Sequence, residues 1–267
     1  MRWRRSPAPL VYVFLLMTPV YWLVIMSFKT TSEIAGELTF YPHEVTFANY
    51  AAIFSDRDWY MGYVNALIYV AMNVVISVGV ALPAAYAFSR HDFFGHRALF
   101  FSLLMFRMLA PAILLAPFVQ IFSDLGMIDT HIAVAIAHCF FNVPLAIWIL
   151  EGFISAIPRE MDESARVDGY RLSGFMIRIL VPQIAPGIAV AAFFCFMFSW
   201  VEYMLANALT TIDAKPIAGI MTRAAGVLAG DVAMLSAASV LGLLPGILLI
   251  VFVRKHLATG FSMGRVL

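Results

Sequence analysis

Six stretches of this chain run for about twenty residues or more with at most one Asp, Glu, Lys or Arg in each, at 9–28, 62–88, 98–122, 131–154, 184–205 and 233–253. At ~1.5 Å of rise per residue, a helix of that length crosses a hydrocarbon core of ~30 Å. A segment in lipid has no water to satisfy its backbone, so each run must close its hydrogen bonds internally as a helix. The expected fold is therefore all-α: a polytopic membrane protein with six transmembrane helices, forming one transmembrane domain over residues 1–267. Composition agrees. The chain is 63% hydrophobic and 12% charged, where a soluble domain is about half apolar and a quarter charged. Cys139 and Cys195 both fall inside apolar runs and share no metal-ligand spacing, so free thiols are expected. The net charge of +1 gives no sign of a nucleic-acid partner.

The first run follows a basic head, Met1 to Arg5. It is longer than the apolar core of a signal peptide and has no small-x-small cleavage site before Lys29, so it is expected to stay as an anchor. The remaining basic residues give the orientation. Twelve Lys/Arg fall on the side of the N-terminus and four on the other, with Arg107 inside the third run, which accounts for the seventeen in the chain. Basic loops face the cytoplasm, so both termini are expected there, in a bacterial inner membrane.

One cytoplasmic connection stands apart. The loop at 156–182 carries four basic side chains (Arg159, Arg166, Arg171, Arg178) and four acidic ones (Glu160, Asp162, Glu163, Asp168) in an otherwise apolar chain. Pro158 precedes a helix whose first turns hold the acidic residues, where they complement the helix dipole. Gly169 interrupts it where the chain can turn through a positive φ. A second short helix, Leu172 to Leu180, is expected before Pro182.

The spacing of this loop narrows its role. Glu163-Ser164-Ala165, three residues, Gly169, nine residues, then Ile179-Leu180-Val181-Pro182 resembles the E-A-A…G…I-x-L-P signature of the permease subunits of bacterial ABC importers. Ser164 and Val181 depart from that signature and keep its size and character. The resemblance covers nearly the whole chain and points to the carbohydrate-importing branch: Pro19-Val-Tyr-Trp22, Ser27-Phe-Lys29, Asn49-Tyr50, Ala84-Ala-Tyr-Ala-Phe-Ser-Arg90, Ile157-Pro158 and Gly260-Phe-Ser-Met-Gly264 all resemble it. The W-N-E-[FY] of the fifth span stands here as Trp200-Val201-Glu202-Tyr203, with Val in place of the Asn. Residues 133–144 and 192–202 resemble importers of glycerol and related polyols.

That resemblance implies a transport subunit with no catalytic site, cofactor or metal. It implies a second homologous permease, two ATP-binding subunits and an extracytoplasmic solute-binding protein as partners. The sequence has no G-x-x-x-x-G-K-[ST] phosphate loop, so ATP must be hydrolysed elsewhere and its free energy must arrive through a contact. The loop is the expected receiver: a coupling helix with Ser164 and Ala165 on its surface, Glu163, Arg166 and Asp168 pairing with an ATPase groove, Gly169 as the bend and Pro182 as the restart. Within the membrane, ionisable and polar groups are candidates for the translocation pathway because burying them is costly. These are Arg107, Asn142, Trp200, Glu202 and Tyr203. Arg107 could donate to substrate hydroxyls, or pair with Glu202 and hold the bundle in register. Asn73 and Asn142 are expected to bond helix to helix more often than to touch solute, and His138 is expected to be packed rather than catalytic. Pro111, Pro117 and Pro144 are expected to mark kinks. A secondary transporter or channel is the alternative class. It should show inverted repeats or charged pore segments, and neither is visible.

Overall fold

The computed structural model describes residues 8–36, 39–227 and 231–263. The basic head Met1–Arg5 and the last four residues lie outside them. Among the described residues every regular element is helical. In chain order they are α1 (Ala8–Ser27), α2 (Thr31–Ala35), α3 (Ala48–Ser55), α4 (Arg57–Arg90), α5 (His96–Arg107), α6 (Pro111–Asp124), α7 (His131–Ser155), α8 (Glu160–Val167) and α9 (Leu172–Phe175). A π-helical turn (Met176–Leu180) follows, then α10 (Val181–Gln183), α11 (Ala185–Val201), α12 (Met204–Leu209), α13 (Ile217–Val227) and α14 (Val232–Met263).

Among the described residues, four helices are long and apolar enough to cross a membrane, and up to six crossings result if each of two bent pairs counts as one. The first pair is α5 with α6, which meet at 92°. The stretch 98–122 is thus two helices with an open joint at Met108–Ala110. Pro111, at the start of α6, explains the restart: its ring cannot donate a backbone bond, and the first turn of a helix does not need one. The second pair is the helical stretch Leu172–Gln183 with α11, at 83°. By contrast, α7 continues as a single helix through Pro144.

The described chain divides into two compact units. One comprises the residues up to Tyr63 together with Ile217–Ile247. Its core gathers Ile53, Trp59, Ile217, Ala237 and Ala238. Two of the stretches noted in the sequence meet here. Asn49 donates from its amide to the carbonyls of Ser27 and Lys29, both at 2.9 Å, and the Tyr50 and Ser27 hydroxyls lie 2.7 Å apart. Lys29 is fully buried and its ammonium is satisfied by the carbonyl and hydroxyl of Thr39 at 2.7 and 2.6 Å.

The other unit, Val64–Pro216 with Leu248 onward, contains every candidate site residue. Its centre is α7, which packs on α11, α5 and α12. Small side chains allow the close approach: Ala133, Ala135, Ala137 and Ala146 of α7, Ala81 and Ala85 of α4, and Ala191 of α11 are all fully buried. In lipid, helices associate by such van der Waals fit and by interhelical hydrogen bonds, since apolar burial alone gains nothing over the tails. The tightest point is Gly187 of α11. A Cβ there would stand 2.5–2.9 Å from the ring and Cβ of Phe153 on α7.

Replacing Gly187 by Val should therefore overpack this contact and destabilise the protein by about 1–3 kcal/mol. A thermal unfolding series in detergent measures it, and adding Phe153→Ala should recover part of the loss. An unchanged melting temperature in Gly187→Val would show that the two helices can part without cost.

Candidate functional site: a charged loop and a polar membrane interior

Helix α8 carries Glu160, Asp162 and Glu163 in its first turn and Arg166 in its last, each sign at the helix end that favours it. Its C-terminus closes as a Schellman motif. The Tyr170 N–H donates to the Ala165 carbonyl and the Gly169 N–H to the Arg166 carbonyl, both at 3.0 Å, while Gly169 holds φ at 81°. Glu163, Ser164, Arg166, Asp168 and Gly169 are exposed. Ala165, expected on the outer surface, instead faces inward at 4% exposure and packs among Tyr86, Phe175 and Leu180. The helix repeat explains this, because residues 161, 162 and 165 share the inner face. Ser164 stays outside and its hydroxyl donates back to the Glu160 carbonyl at 2.7 Å.

The loop is anchored from α4. Arg90 Nε lies 2.5 Å from Asp162 Oδ2, and both side chains are nearly buried. Charge rather than alignment holds the pair, since neither Arg90 Nε nor Asp162 Oδ2 has a hydrogen-bond partner among the described residues. Arg90 Nη2 donates to the Ile157 carbonyl at 3.0 Å. One residue earlier, the Ser89 hydroxyl meets that of Ser155 at 2.8 Å, and Ser155 donates to Glu151. Beyond Gly169, residues from Asp168 to Arg178 line an open groove of about 650 Å³. A recess of about 140 Å³ lies between α8 and Tyr86, His91 and Phe175. Pro182 sits in the short α10, just after the π-helical turn. It has no N–H for the carbonyl four residues back, and the widened turn accommodates the missing bond.

In the membrane interior, Arg107 and Glu202 are not paired with each other. Glu202 follows the last residue of α11, and its carboxylate turns back to cap α12. Oε1 accepts from the Met204 and Leu205 amides at 2.9 and 3.2 Å. Oε2 accepts from Leu205 and Ala206 at 3.1 and 3.3 Å and lies 3.0 Å from His138 Nε2. The other His138 nitrogen meets the Ser199 hydroxyl at 2.7 Å, and the ring stands edge-on to Tyr69. His138 is packed, and it is also the tie between α7 and the elbow joining α11 to α12. Arg107 is the last residue of α5, and its guanidinium lies over the Phe198 ring, 3.8 Å from the centroid. Trp200 stacks on Phe196 with 5.9 Å between centroids. Tyr203 is the N-cap of α12 and is half-buried. Asn142 is buried and joins three helices: its amide donates to Asn73 Oδ1 at 2.7 Å and to the Cys195 carbonyl at 3.1 Å. Asn73 in turn donates to the Ala135 carbonyl.

A third polar cluster had no forecast in the sequence. Asp129 adopts φ +64° in the connection between α6 and α7. Its carboxylate accepts from the backbone of Thr211, Ile212, Asp213 and Ala214 at 2.9–3.1 Å and from the Thr211 hydroxyl at 2.7 Å. Asn65 donates from its amide to the carbonyls of Asp213 and Lys215, and its Oδ1 accepts from His131 Nε2 at 2.9 Å. Lys215 donates to the carbonyls of Asn207 and Thr210. The only sequence signal was an Asp in a short turn, a residue type that tolerates a left-handed backbone. Partial burial works against the Asp129 carboxylate, but the Thr211 hydroxyl and the backbone donors outweigh it and hold its pKa well below the ordinary carboxylate range.

Residues 59–262 match the family described as binding-protein-dependent transport system inner membrane component. The chain belongs to that family. The permease is 29% identical over 251 residues to the sulfoquinovosyl glycerol transport system permease SmoH of Agrobacterium fabrum, with 92% of this chain and 87% of that one covered. It is 29% identical to the trehalose transport system permease SugB of Mycobacterium tuberculosis, covering 94% and 92%. It is 30% identical to the inner membrane ABC transporter permease YcjP of Escherichia coli, covering 73% and 71%. Its fold matches a chain of a bacterial ABC transporter that imports the acidic polysaccharide alginate, with TM-score 0.77, 22% identity, and 96% and 99% coverage. The permease is thus a multi-pass transport component of an ABC importer, without an ATPase site of its own, and ATP is hydrolysed by a partner subunit.

Asp129 gives a testable sign. Its folded pKa is lowered, so the stability it contributes is fully present above its unfolded value of ~4, declines progressively below that, and is gone once pH has fallen through the lowered folded value. Amide exchange at Thr211–Ala214, corrected for intrinsic rate, should stay protected from pH 7 down to about pH 4 and open below that. Asp129→Asn should expose these amides at every pH. Equal protection in that variant would show that the clasp is ornamental.

Proposed function

We propose that this chain forms one half of the translocation pathway of an ATP-driven importer for a sugar or small polyol, glycerol being the leading candidate. Its termini and the 156–182 loop face the cytoplasm. A second homologous permease completes the pathway, two ATP-binding subunits dock on the loops, and an extracytoplasmic binding protein delivers the solute. Helix α8 is the coupling helix, and the observation that carries this reading is its construction. An exposed edge of Glu163, Ser164, Arg166 and Asp168 sits on a helix capped at Gly169 and fixed to α4 through Arg90 and Asp162. A push on that edge moves a rigid body rather than a floppy loop. The adjoining groove around Arg171 and Arg178 offers charge to the same partner.

The solute class is supported by the relatives, whose names speak of sulfoquinovosyl glycerol, trehalose and diacetylchitobiose, all rich in hydroxyl groups. The narrower choice of glycerol rests on residues 133–144 and 192–202. Arg107, with Asn142, Trp200, Glu202 and Tyr203 around the same helices, marks the pathway. Of these, Asn142 and Glu202 act on it indirectly, as the joints that hold its walls.

Two experiments test this. The cognate binding protein, titrated against sugars and polyols, should bind a small polyol most tightly, and a disaccharide preference would overturn the glycerol assignment. In the assembled importer, Glu163→Lys or Gly169→Asp should abolish vanadate-sensitive uptake and release the ATPase subunits. Arg90→Ala should leave them bound but lower uptake by about tenfold, the effect of losing one charged hydrogen bond. Unchanged uptake in Glu163→Lys would sink the coupling role.

A further inference from the structure

Arg107 is the one basic side chain within the six apolar runs, and the structure leaves it in an unusual condition. Its natural counter-ion in the same region, Glu202, is fully engaged by His138 and three backbone amides. What faces the guanidinium instead is the Phe198 ring at 3.8 Å. A ring face compensates part of a cation's lost hydration through its quadrupole, and it does so without using any N–H. The donors of a guanidinium lie in its plane, five of them in a fixed fork. A guanidinium whose central carbon sits over a ring face is compensated there without a hydrogen-bond acceptor, which leaves N–H donors of its fork for other partners.

The position agrees from two directions. Arg107 is about 17 Å along α5 from His96, and Phe198 about 20 Å along α11 from Ala185, at ~1.5 Å per residue. Both helices start on the side assigned to the cytoplasm, so both residues fall in the middle region of a ~30 Å core. Directly after Arg107 the helix breaks, and α6 leaves at 92°. Non-helical backbone at that depth is tolerated where protein buries it or where it lines a wet cavity. Protein of this chain does not bury it: Met108 is 85% exposed and Ala110 is exposed too. In secondary transporters, discontinuous helices lie at the solute site, and the break after Arg107 offers a comparable open joint.

We propose that Arg107 and Phe198 form a solute-contact pair, in which the Arg107 fork donates to hydroxyl oxygens of an uncharged polyhydroxyl solute and Phe198 is the positioning residue that holds the guanidinium over its ring face. The inference rests on the pathway reading above and adds Phe198, the helix break and the charge class. The class follows from the demands of passage. A solute must bind well enough to enter and weakly enough to leave. A carboxylate or sulfonate would form a bidentate ion pair with a guanidinium whose charge no carboxylate offsets, and would stay. Hydroxyls accept the same N–H groups with less grip.

The test uses the complete importer, with partner permease, ATPases and binding protein, in proteoliposomes. Uptake and ATP hydrolysis are measured together for glycerol, a neutral disaccharide and a sugar acid. Arg107→Gln and Phe198→Leu should each reduce solute moved per ATP by about ten- to a hundredfold, as expected for loss of a hydrogen bond from a charged donor. Phe198→Trp should restore most of it, because the indole face also carries a guanidinium. Arg107→Lys should not, because an ammonium is a point charge without a planar fork. Normal solute-to-ATP ratios in Phe198→Leu overturn the proposal, and so does a parallel fall of uptake and hydrolysis with no change in ratio, which marks a purely structural role. Wild-type uptake of the sugar acid in preference to any neutral solute overturns the charge class while leaving the pair in place. If no solute drives uptake in the wild type, it is the pathway reading itself that fails.

Discussion

A carboxylate placed at the end of a membrane helix has to be given partners, and the partners chosen for Glu202 decide much of this molecule. Three amides of α12 and the imidazole of His138 saturate it. The amides fix the elbow at which α11 ends and α12 begins. The imidazole, held on its other side by Ser199, fastens that elbow to α7, the helix around which the larger unit packs. Because Glu202 is spent in this way, Arg107 is left to a ring. The distribution of one negative charge thus makes a joint of Glu202 and leaves Arg107 against an aromatic face.

The charged loop follows a similar logic in water. Helix α8 is too short to be stable by itself, yet it is held at both ends. Acidic residues and the Gly169 cap settle its termini, and the Arg90–Asp162 pair ties its inner face to α4. Removing one partner of a nearly buried pair strands the other charge, so this contact sets orientation more than it adds stability. The outcome is an exposed edge with a fixed bearing.

Much of this was legible beforehand. Apolar runs of membrane length gave the helices, and the Glu163 to Pro182 spacing gave the loop its shape, because hydrophobic length and turn chemistry are local properties. Several stretches that resembled the family turned out to be spatial partners: Ser27 and Lys29 with Asn49 and Tyr50, and Arg90 with Ile157. Sequence could single them out without saying that they touch. Three features were out of reach. The sharp break after Arg107 looked like a proline kink, since a helix ending and a helix bending leave the same signature. The choice of His138 over Arg107 by Glu202 depends on which faces of α5, α7 and α11 meet. The Asp129 clasp joins residues some eighty positions apart through backbone amides, which carry no sequence identity at all.

The π-helical turn at Met176–Leu180 has a consequence for how such a chain can vary. A π turn stores one residue more than an α turn, and each residue turns a helix by ~100°. Removing a single residue there would let the turn relax to α geometry with the flanking helices still in phase, whereas the same deletion in α8 or α11 would rotate everything beyond it off its partners. The turn is therefore a slack point between the charged loop that holds α8 and the apolar helix α11. A deletion of one residue between Gly169 and Pro182 should be absorbed at this place before anywhere else in the second half of the molecule.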